Sequence, residues 1–488
     1  MTASPEDTTF DLIVIGAGAI GENVADRAVQ GGLSVALVEA ELVGGECSYW
    51  ACMPSKALLR SGAALRAAQN VSGAREAVTG QIDVRAVLEQ RNSIASNWND
   101  EGQAEWVAGA GITLLRGFAR FTGPKTLSLT DALGGVTQLT ARHAIAVSTG
   151  SAALLPDIPG LAGAAPWTSR EATSAQEVPA RLAILGGGVV GCEMATAYAS
   201  LGSKVTLLSR GALLGNLEPF AGERVKDALL ALGVDVQLGV SPTSVSRDGA
   251  GGEVTLVVDG TDLVADELLV AVGRTPNTGD LGLETIGLEP HSWLPTDDTM
   301  LVVGEDGTPL SGEWLYATGD VTRRALLTHQ GKYQARAAGD VIAARALGKR
   351  LSIAPWGAHV ATADHEAVPQ VTFTDPEVAS VGLTLAAAQK AGYSVRAVDY
   401  EIGNVAGASV TSENYSGQAR MVVDEDRQVI VGVTFVGQDV AELLHSATIA
   451  VVGEVPLSRL WHAVPSYPTL SEVWLRLLET YGRDASSF

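Results

Sequence analysis

The sequence predicts an α/β protein with two Rossmann-like dinucleotide-binding domains followed by a C-terminal α+β domain. Three observations carry this: an internal repeat, a glycine pattern inside each copy, and a change of character near residue 351. The segment "DLIVIGAGAIGENVADRAVQGGLSVALVE" from Asp11 recurs without a gap as "RLAILGGGVVGCEMATAYASLGSKVTLLS" from Arg181. Each copy reads as a buried strand, a glycine turn, an amphipathic helix and a second strand, Val35 to Val38 in one and Val205 to Leu208 in the other. That is a βαβ unit made twice.

In the first copy Gly16, Gly18 and Gly21 form G-x-G-x-x-G directly after a strand, and Glu39 ends the next strand. The first glycine permits the tight turn, the second lets the backbone approach a pyrophosphate, and the third lets helix and strand pack closely. The helix N-terminus adds partial positive charge, and a carboxylate at Glu39 is placed to accept hydrogen bonds from ribose hydroxyls. In the second copy Gly186, Gly188 and Gly191 repeat the pattern, but Ser209 stands in place of the acid and Arg210 follows it. A carboxylate there would repel a 2′-phosphate, whereas Ser and Arg can bind one, so NADPH is expected over NADH, with NADH still possible.

Between the copies, residues 61–107 read as mostly helical, and "ITLLRGFARF", "KTLSL" and "HAIAVSTG" read as strands. After the second copy, "DELLVAVGRTPN" and "WLYATGDV" are apolar strands ending in glycine-bearing turns. From about residue 351 the β segments "QVTFTD", "QARMVVDED" and "VIVGVTFVG" follow, with helices near Ala441 and Ser471.

Size and charge narrow the function. The 488 residues are 46% hydrophobic and 18% charged, enough for several cores, which excludes a peptide hormone, a coiled coil and a disordered regulator. With 33 Lys+Arg against 55 Asp+Glu the formal charge is −22, so neither nucleic acid nor an anionic membrane surface is an expected partner. Three cysteines are too few for a disulfide-stapled scaffold, and the start MTASPEDTTF lacks the marks of a signal peptide. No apolar run reaches the length of a membrane span. A cytoplasmic protein is expected.

The chemistry concentrates in "GGECSYWACMPSKALLR", where Cys47 and Cys52 lie five apart. In a regular helix such a pair is roughly 8 Å apart at Cα, beyond disulfide reach, so a bridge needs an irregular turn. Pro54 suits the first turn of a helix running through Lys56, which puts Cys52 near the helix's positive end and favours its thiolate. Two buried, inert thiols are the alternative; a metal site is not expected, because no matching Cys/His pair lies nearby. Cys192, just inside the second helix, reads as a small buried residue.

With these residues in place, the chain resembles the FAD-dependent pyridine nucleotide–disulfide oxidoreductases, the family of dihydrolipoamide dehydrogenase, glutathione reductase and mercuric reductase. The matches are the first glycine motif, the G-G-x-C-x4-C-x-P-S-K segment, the second glycine motif continuing into Glu193, "GRTPN" at Gly273 to Asn277, "ATGDV" at Ala317 to Val321, and "VTFTDPEVASVG" at Val371 to Gly382. Nearly the whole chain, from about Asp11 to Glu479, follows the layout of that family. The resemblance implies an FAD domain at 1–158 with a return segment at 281–350, an NAD(P) domain at 159–280, and an interface domain at 351–488 that forms a homodimer and lends residues to the partner's active site. It implies that Cys47 meets the substrate, that Cys52 lies beside the flavin, that Lys56 and Glu193 form an ion pair near the flavin's reactive edge, and that Asp320 binds the ribityl chain. Gly45, Thr149, Gly150, Gly273 and Arg274 complete the expected cofactor-binding set. Hydride from NADPH would reduce the flavin, which passes electrons to the dithiol.

The departures narrow the substrate. Relatives that reduce dithiol substrates end in a pattern like His-Pro-Thr-x-x-Glu, whereas this chain has "YPTLSE", with Tyr467 in the histidine position and Glu472 retained. Tyrosine titrates near ~10 against ~6.5 for histidine, so Tyr467 donates a hydrogen bond at neutral pH but is rarely a base. His462, five residues upstream, reads better as a packed or capping residue than as a substitute base. Ordinary glutathione or lipoamide turnover is thereby disfavoured. Mercury is disfavoured too, because mercuric reductases carry a C-terminal cysteine pair and no cysteine follows Cys192 here. "SYWA" between the cysteines, with Trp461, Tyr467 and Trp474, allows an aromatic pocket for a planar acceptor, although such residues more often belong to the core. The expected activity is therefore reduction of a disulfide or another acceptor, with two alternatives: an NAD(P)H:quinone reductase, and a flavin-bearing redox sensor with negligible turnover.

Overall fold

A computed structural model describes residues 8–304 and 306–482. The segments 1–7, read above for a leader, and 483–488, in the cysteine-free tail, lie outside the described residues. The chain divides into two compact units: one comprises residues up to 54, 92–154 and 273–364, the other 55–91, 155–272 and 365 onward.

In the first unit, Thr9–Ile15 lies between Val35–Glu39 and Val136–Val147, all parallel, with Thr113–Arg116 beyond Val35–Glu39 and Leu315–Ala317 beside Val136–Val147. Phe118–Gly123 and Thr126–Thr130 extend the sheet antiparallel. Both faces of the central strand are covered, which explains its unbroken apolar run. Leu12 and Val14 pack with Ala25, Ala28 and Ile342, while Ile13 and Ile15 pack with Phe121 and Trp314. Helix Ala19–Gln30 follows the glycine turn and packs tightly on helix Thr328–Ala346. A β-carbon on Gly31 would meet Ala343 Cβ at 2.4 Å, and one on Gly331 would meet Ile20 Cγ1 at 2.5 Å.

The second unit repeats the parallel arrangement, in the order Asp235–Leu238, Lys204–Ser209, Arg181–Leu185, Glu267–Val270. A three-stranded meander, Ser244–Arg247, Val254–Val258 and Thr261–Ala265, was not foreseen from the sequence: its strands are short and glycine turns interrupt the alternation. The unit also holds a five-stranded antiparallel sheet in the order Pro369–Thr372, Glu377–Gly382, Val429–Gly437, Gln418–Asp424, Val395–Glu401, with helices Leu444–Val452 and Val473–Tyr481. Val378 and Val436 of that sheet share a core with Leu182 and Ile184. The expected fold class is the observed one. No helix among the described residues is long and apolar enough to cross a membrane.

Candidate active site

Each unit carries its own constellation. In the first, Gly16 has φ +97°, and a β-carbon there would lie 2.5 Å from the Ser148 carbonyl oxygen. A β-carbon on Gly21 would lie 1.9 Å from the Gly16 carbonyl oxygen, so the helix can rise from the strand only with glycine at both positions. Gly18 differs: its β-carbon would meet nothing closer than Gly45 Cα at 4.0 Å. Packing therefore does not require glycine at position 18, which leaves that point of the turn open. Gly45 itself (φ +59°) passes so close that its own β-carbon would sit 2.8 Å from Gly18 Cα.

Glu39 Oε2 accepts the Ala17 N–H (2.7 Å) and Oε1 accepts that of Glu41 (2.8 Å), so the carboxylate braces the glycine turn from the end of its strand. Burial nevertheless holds its pKa above the ordinary value. At the end of Val136–Val147, the Thr149 hydroxyl is buried without a partner among the described residues, and Gly150 takes φ +70°. Asn277 donates to both the Gly150 and Thr149 carbonyls, the latter at 3.0 Å. Asp320 accepts the Ser151 hydroxyl (2.6 Å), and Arg274, next to Gly273 (φ +154°), donates to that hydroxyl (2.6 Å) and to the Ser151 carbonyl. A glycine cradle with an open position, an acid at the strand end and an orphaned hydroxyl beside it fit a dinucleotide cofactor.

The cysteines sit at the irregular turn their spacing requires. Cys47 lies in the short helix Gly45–Tyr49, the chain breaks at Trp50 (φ −136°), and helix Cys52–Gln69 starts at the second cysteine with Pro54 in its first turn. The Cys52 Sγ lies 3.3 Å from the Thr328 hydroxyl. The neighbouring Cys52 thiol, together with burial, pushes the Cys47 thiol far up; Thr328 and the positive charge of Lys332 pull the other way. Thr328 and Lys332 were absent from the sequence reading. Their spacing of four along helix Thr328–Ala346 puts both on one face, but only the packing of that helix shows which face meets the cysteines.

Of the two readings of "SYWA", pocket lining or core, Tyr49 takes the core one. Its ring is fully buried, it stacks edge-on against Trp50, and its hydroxyl donates to the Val43 carbonyl (3.0 Å). It props the cysteine loop from within the core and presents no face to an acceptor. Among the described residues no His/Cys/Asp/Glu group has the makings of a metal site.

Glu22, one residue past the glycine motif, was also missed. Its Oε1 is buried without a hydrogen-bond partner among the described residues, and burial pushes the carboxyl up to about 7, with Lys332 opposing and Glu39 adding to the shift. A folded-state pKa above the unfolded value stabilises the native state below about 4.5 relative to higher pH, and that contribution is lost as pH rises through about 7. Glu22→Gln is expected to abolish this loss and so gain ~2–3 kcal/mol at pH 8.5 relative to pH 4.5, read by urea unfolding of both proteins at both pH values. An equal difference at the two pH values would refute the ionisation.

In the second unit, Gly186 (φ +122°) and Gly191 repeat the tight contacts, with β-carbons 2.3 Å from the Ala271 carbonyl oxygen and 1.9 Å from that of Gly186. Gly188 again faces open space. Ser209 is buried at the strand end against Gly187, and Arg210 is exposed. Lys56 Nζ lies 2.8 Å from Glu193 Oε2 and 4.9 Å from the centre of the Phe373 ring, while the Phe373 N–H donates to Glu193 Oε1 (2.9 Å). Glu193 is thus a buried carboxylate with a cation on one oxygen and an amide on the other. Cys192 is fully buried, with its thiol pushed up to about 12 by desolvation, an inert packing residue. Tyr467 is 77% exposed; Glu472 is buried, accepts the Ala406 N–H (3.2 Å) and pairs with Arg476 (2.6 Å). The Trp474 ring packs on Phe435 and its N–H donates to Ser446.

Residues 10–339 match the profile described as pyridine nucleotide-disulphide oxidoreductase, and residues 368–477 match the dimerisation domain of the same family. The chain belongs to this family. A mercuric reductase of Staphylococcus aureus is 31% identical over 494 residues, covering 98% of this chain and 84% of that protein. A dihydrolipoyl dehydrogenase of Thermus scotoductus is 33% identical, covering 98% of each. The solved structure of the HOCl-induced flavoprotein disulfide reductase RclA from Escherichia coli matches with a TM-score of 0.78 at 24% identity, covering 96% of this chain and 99% of that one, which shows a shared fold. This family member is accordingly an oxidoreductase whose family binds FAD and a pyridine nucleotide, and it carries the family's dimerisation domain.

Proposed function

We propose that this oxidoreductase takes electrons from NADPH in preference to NADH, passes them through FAD to the Cys47–Cys52 pair, and reduces a disulfide substrate as a cytoplasmic homodimer. The observation that carries the reading is the placement of the two cysteines on either side of the break before helix Cys52–Gln69, with Thr328 against the second. Bound FAD would accept hydride from the nicotinamide and deliver two electrons to the cysteines. Residues 1–158 and 281–350 would hold it through Gly16, Gly18, Gly21, Glu39, Gly45, Thr149, Gly150 and Asp320, with Gly273 and Arg274 shaping the turn. Residues 159–280 would hold the coenzyme through Gly186, Gly188 and Gly191, and residues 351–488 would form the dimer. Lys56 and Glu193 would supply a fixed charge pair at the reacting edge. Tyr467 and Glu472 would face the substrate of the partner subunit's site.

An anaerobic NADPH titration tests the path: uptake of two reducing equivalents more than the flavin alone consumes is expected, and flavin-only stoichiometry would overturn it. For the coenzyme, exposed Arg210 beside Ser209 favours the 2′-phosphate. Arg210→Glu is expected to lower kcat/KM for NADPH roughly ten-fold while sparing NADH. Equal losses with both coenzymes would show that the phosphate is not read at that position.

A further inference from the structure

We propose that Lys332 is the cation that stabilises thiolate at Cys47 and on the departing substrate sulfur, a task for which the chain offers no histidine at position 467. The inference rests on the dithiol reading above and adds to it a residue supplied by the first unit itself.

The placement follows from the packing of two helices. Helix Thr328–Ala346 begins at Thr328, whose hydroxyl touches Cys52 Sγ at 3.3 Å. Lys332 is one turn on, on the same face and about 6 Å further along the axis. Its neighbour Gly331 lies against Ile20 of helix Ala19–Gln30, and two residues past Ile20 comes Glu22, whose buried Oε1 has no hydrogen-bond partner among the described residues. Lys332 is half-buried and makes no hydrogen bond or ion pair at bonding distance with any described residue. Its charge acts on both Cys47 and Glu22, lowering each. The groups that set the Cys47 thiol are therefore Cys52 and Thr328 beside it, Lys332 from the facing helix, and Glu22, which opposes Lys332 once ionised; Glu39 and Tyr49 face Glu22 in turn. In a chain with a formal charge of −22, a half-buried ammonium left without a hydrogen-bond partner beside a reactive sulfur is free to meet negative charge.

In the reaction, the Cys47 thiolate attacks one sulfur of the substrate disulfide; the Cys47–S bond forms, the substrate S–S bond breaks, and the leaving thiolate takes a proton. The Cys52 thiolate then attacks Cys47, closing the Cys47–Cys52 disulfide and releasing the second substrate thiolate. The two electrons come from the reduced pyridine nucleotide by way of the flavin. Negative charge appears at or next to Cys47 in both exchanges, where an ammonium lowers the barrier.

The test reads the sulfur directly. The FAD-bound enzyme is reduced anaerobically with dithionite, and alkylation of Cys47 by iodoacetamide is followed by peptide mass spectrometry from pH 5 to 9. Lys332→Gln is expected to move the Cys47 profile up by about 0.5–1 unit and to slow alkylation at pH 7 by about three- to ten-fold, with Lys332→Arg restoring it. Glu22→Gln is expected to move the profile down above pH 7, because the charge opposing Lys332 is gone. Flavin reduction by NADPH, measured in the same variants, is expected to be unchanged. A Cys47 profile that stays put in Lys332→Gln overturns the role of Lys332. Failure of Cys47 to alkylate at any pH in the unsubstituted reduced enzyme would instead overturn the dithiol reading on which it rests.

Discussion

Cys47→Ser and Cys52→Ser each abolish disulfide reduction, by at least roughly a thousand-fold in kcat/KM, because each exchange step needs two sulfurs in contact. The two losses differ in their optical signature. On the proposed path, a Cys52 thiolate beside oxidised flavin is expected to give the NADPH-reduced enzyme a long-wavelength charge-transfer band. Cys47→Ser, which has no disulfide to reduce, is expected to show the band as isolated, before NADPH reduces its flavin, and Cys52→Ser to lack it in either state. The Thr328 hydroxyl 3.3 Å from Cys52 Sγ marks Cys52 as the sulfur held in place. A band that survives in Cys52→Ser but vanishes in Cys47→Ser would reverse the assignment. Quinone reduction that persists in both variants would mean that electrons reach such an acceptor from the flavin itself. Tyr49 offers no aromatic platform for that route, since its ring is in the core and its hydroxyl is committed to Val43.

Gly18→Ala yields a folded protein that is colourless, while Gly21→Ala is damaged in the fold itself. The contrast comes from what a methyl group meets. At Gly18 nothing lies within contact except Gly45 Cα at 4.0 Å, so the chain tolerates the side chain, and on the proposed reading it is the FAD pyrophosphate that loses its approach. At Gly21 the β-carbon would fall 1.9 Å from the Gly16 carbonyl oxygen, an overlap no rotamer relieves, and helix Ala19–Gln30 must move off the sheet. Flavin content from the absorbance near 450 nm, set against far-UV circular dichroism and the urea midpoint, separates the outcomes. A yellow Gly18→Ala protein with about one FAD per chain would remove the pyrophosphate from that glycine. Gly188→Ala provides the parallel case for the coenzyme: it too meets open space, and retention of FAD with loss of NADPH binding is expected.

Both glycine motifs, the acid at Glu39 and its replacement by Ser209 are local facts. Strand, turn and helix follow one another within thirty residues, so periodicity and glycine spacing alone state the fold class and both nucleotide turns. The five-residue cysteine spacing likewise demanded a broken helix, and the break at Trp50 is where it had to be. By contrast, Thr328 and Lys332 lie more than three hundred residues from Glu22 in the chain, and nothing in "LLTHQGKYQ" or "IGENVA" marks them as neighbours of a cysteine. They meet because Ile20 fills the space left by Gly331, a contact that depends on two helices docking on the same face of a sheet. Burial, which raises the Glu22 carboxyl to about 7 and takes Tyr49 out of any acceptor site, is likewise a property of the packed chain. A sequence records which groups are present and how backbone geometry constrains their neighbours. Desolvation and through-space charge depend on every element packed around a group, and so only the tertiary structure decided which of those groups share a site.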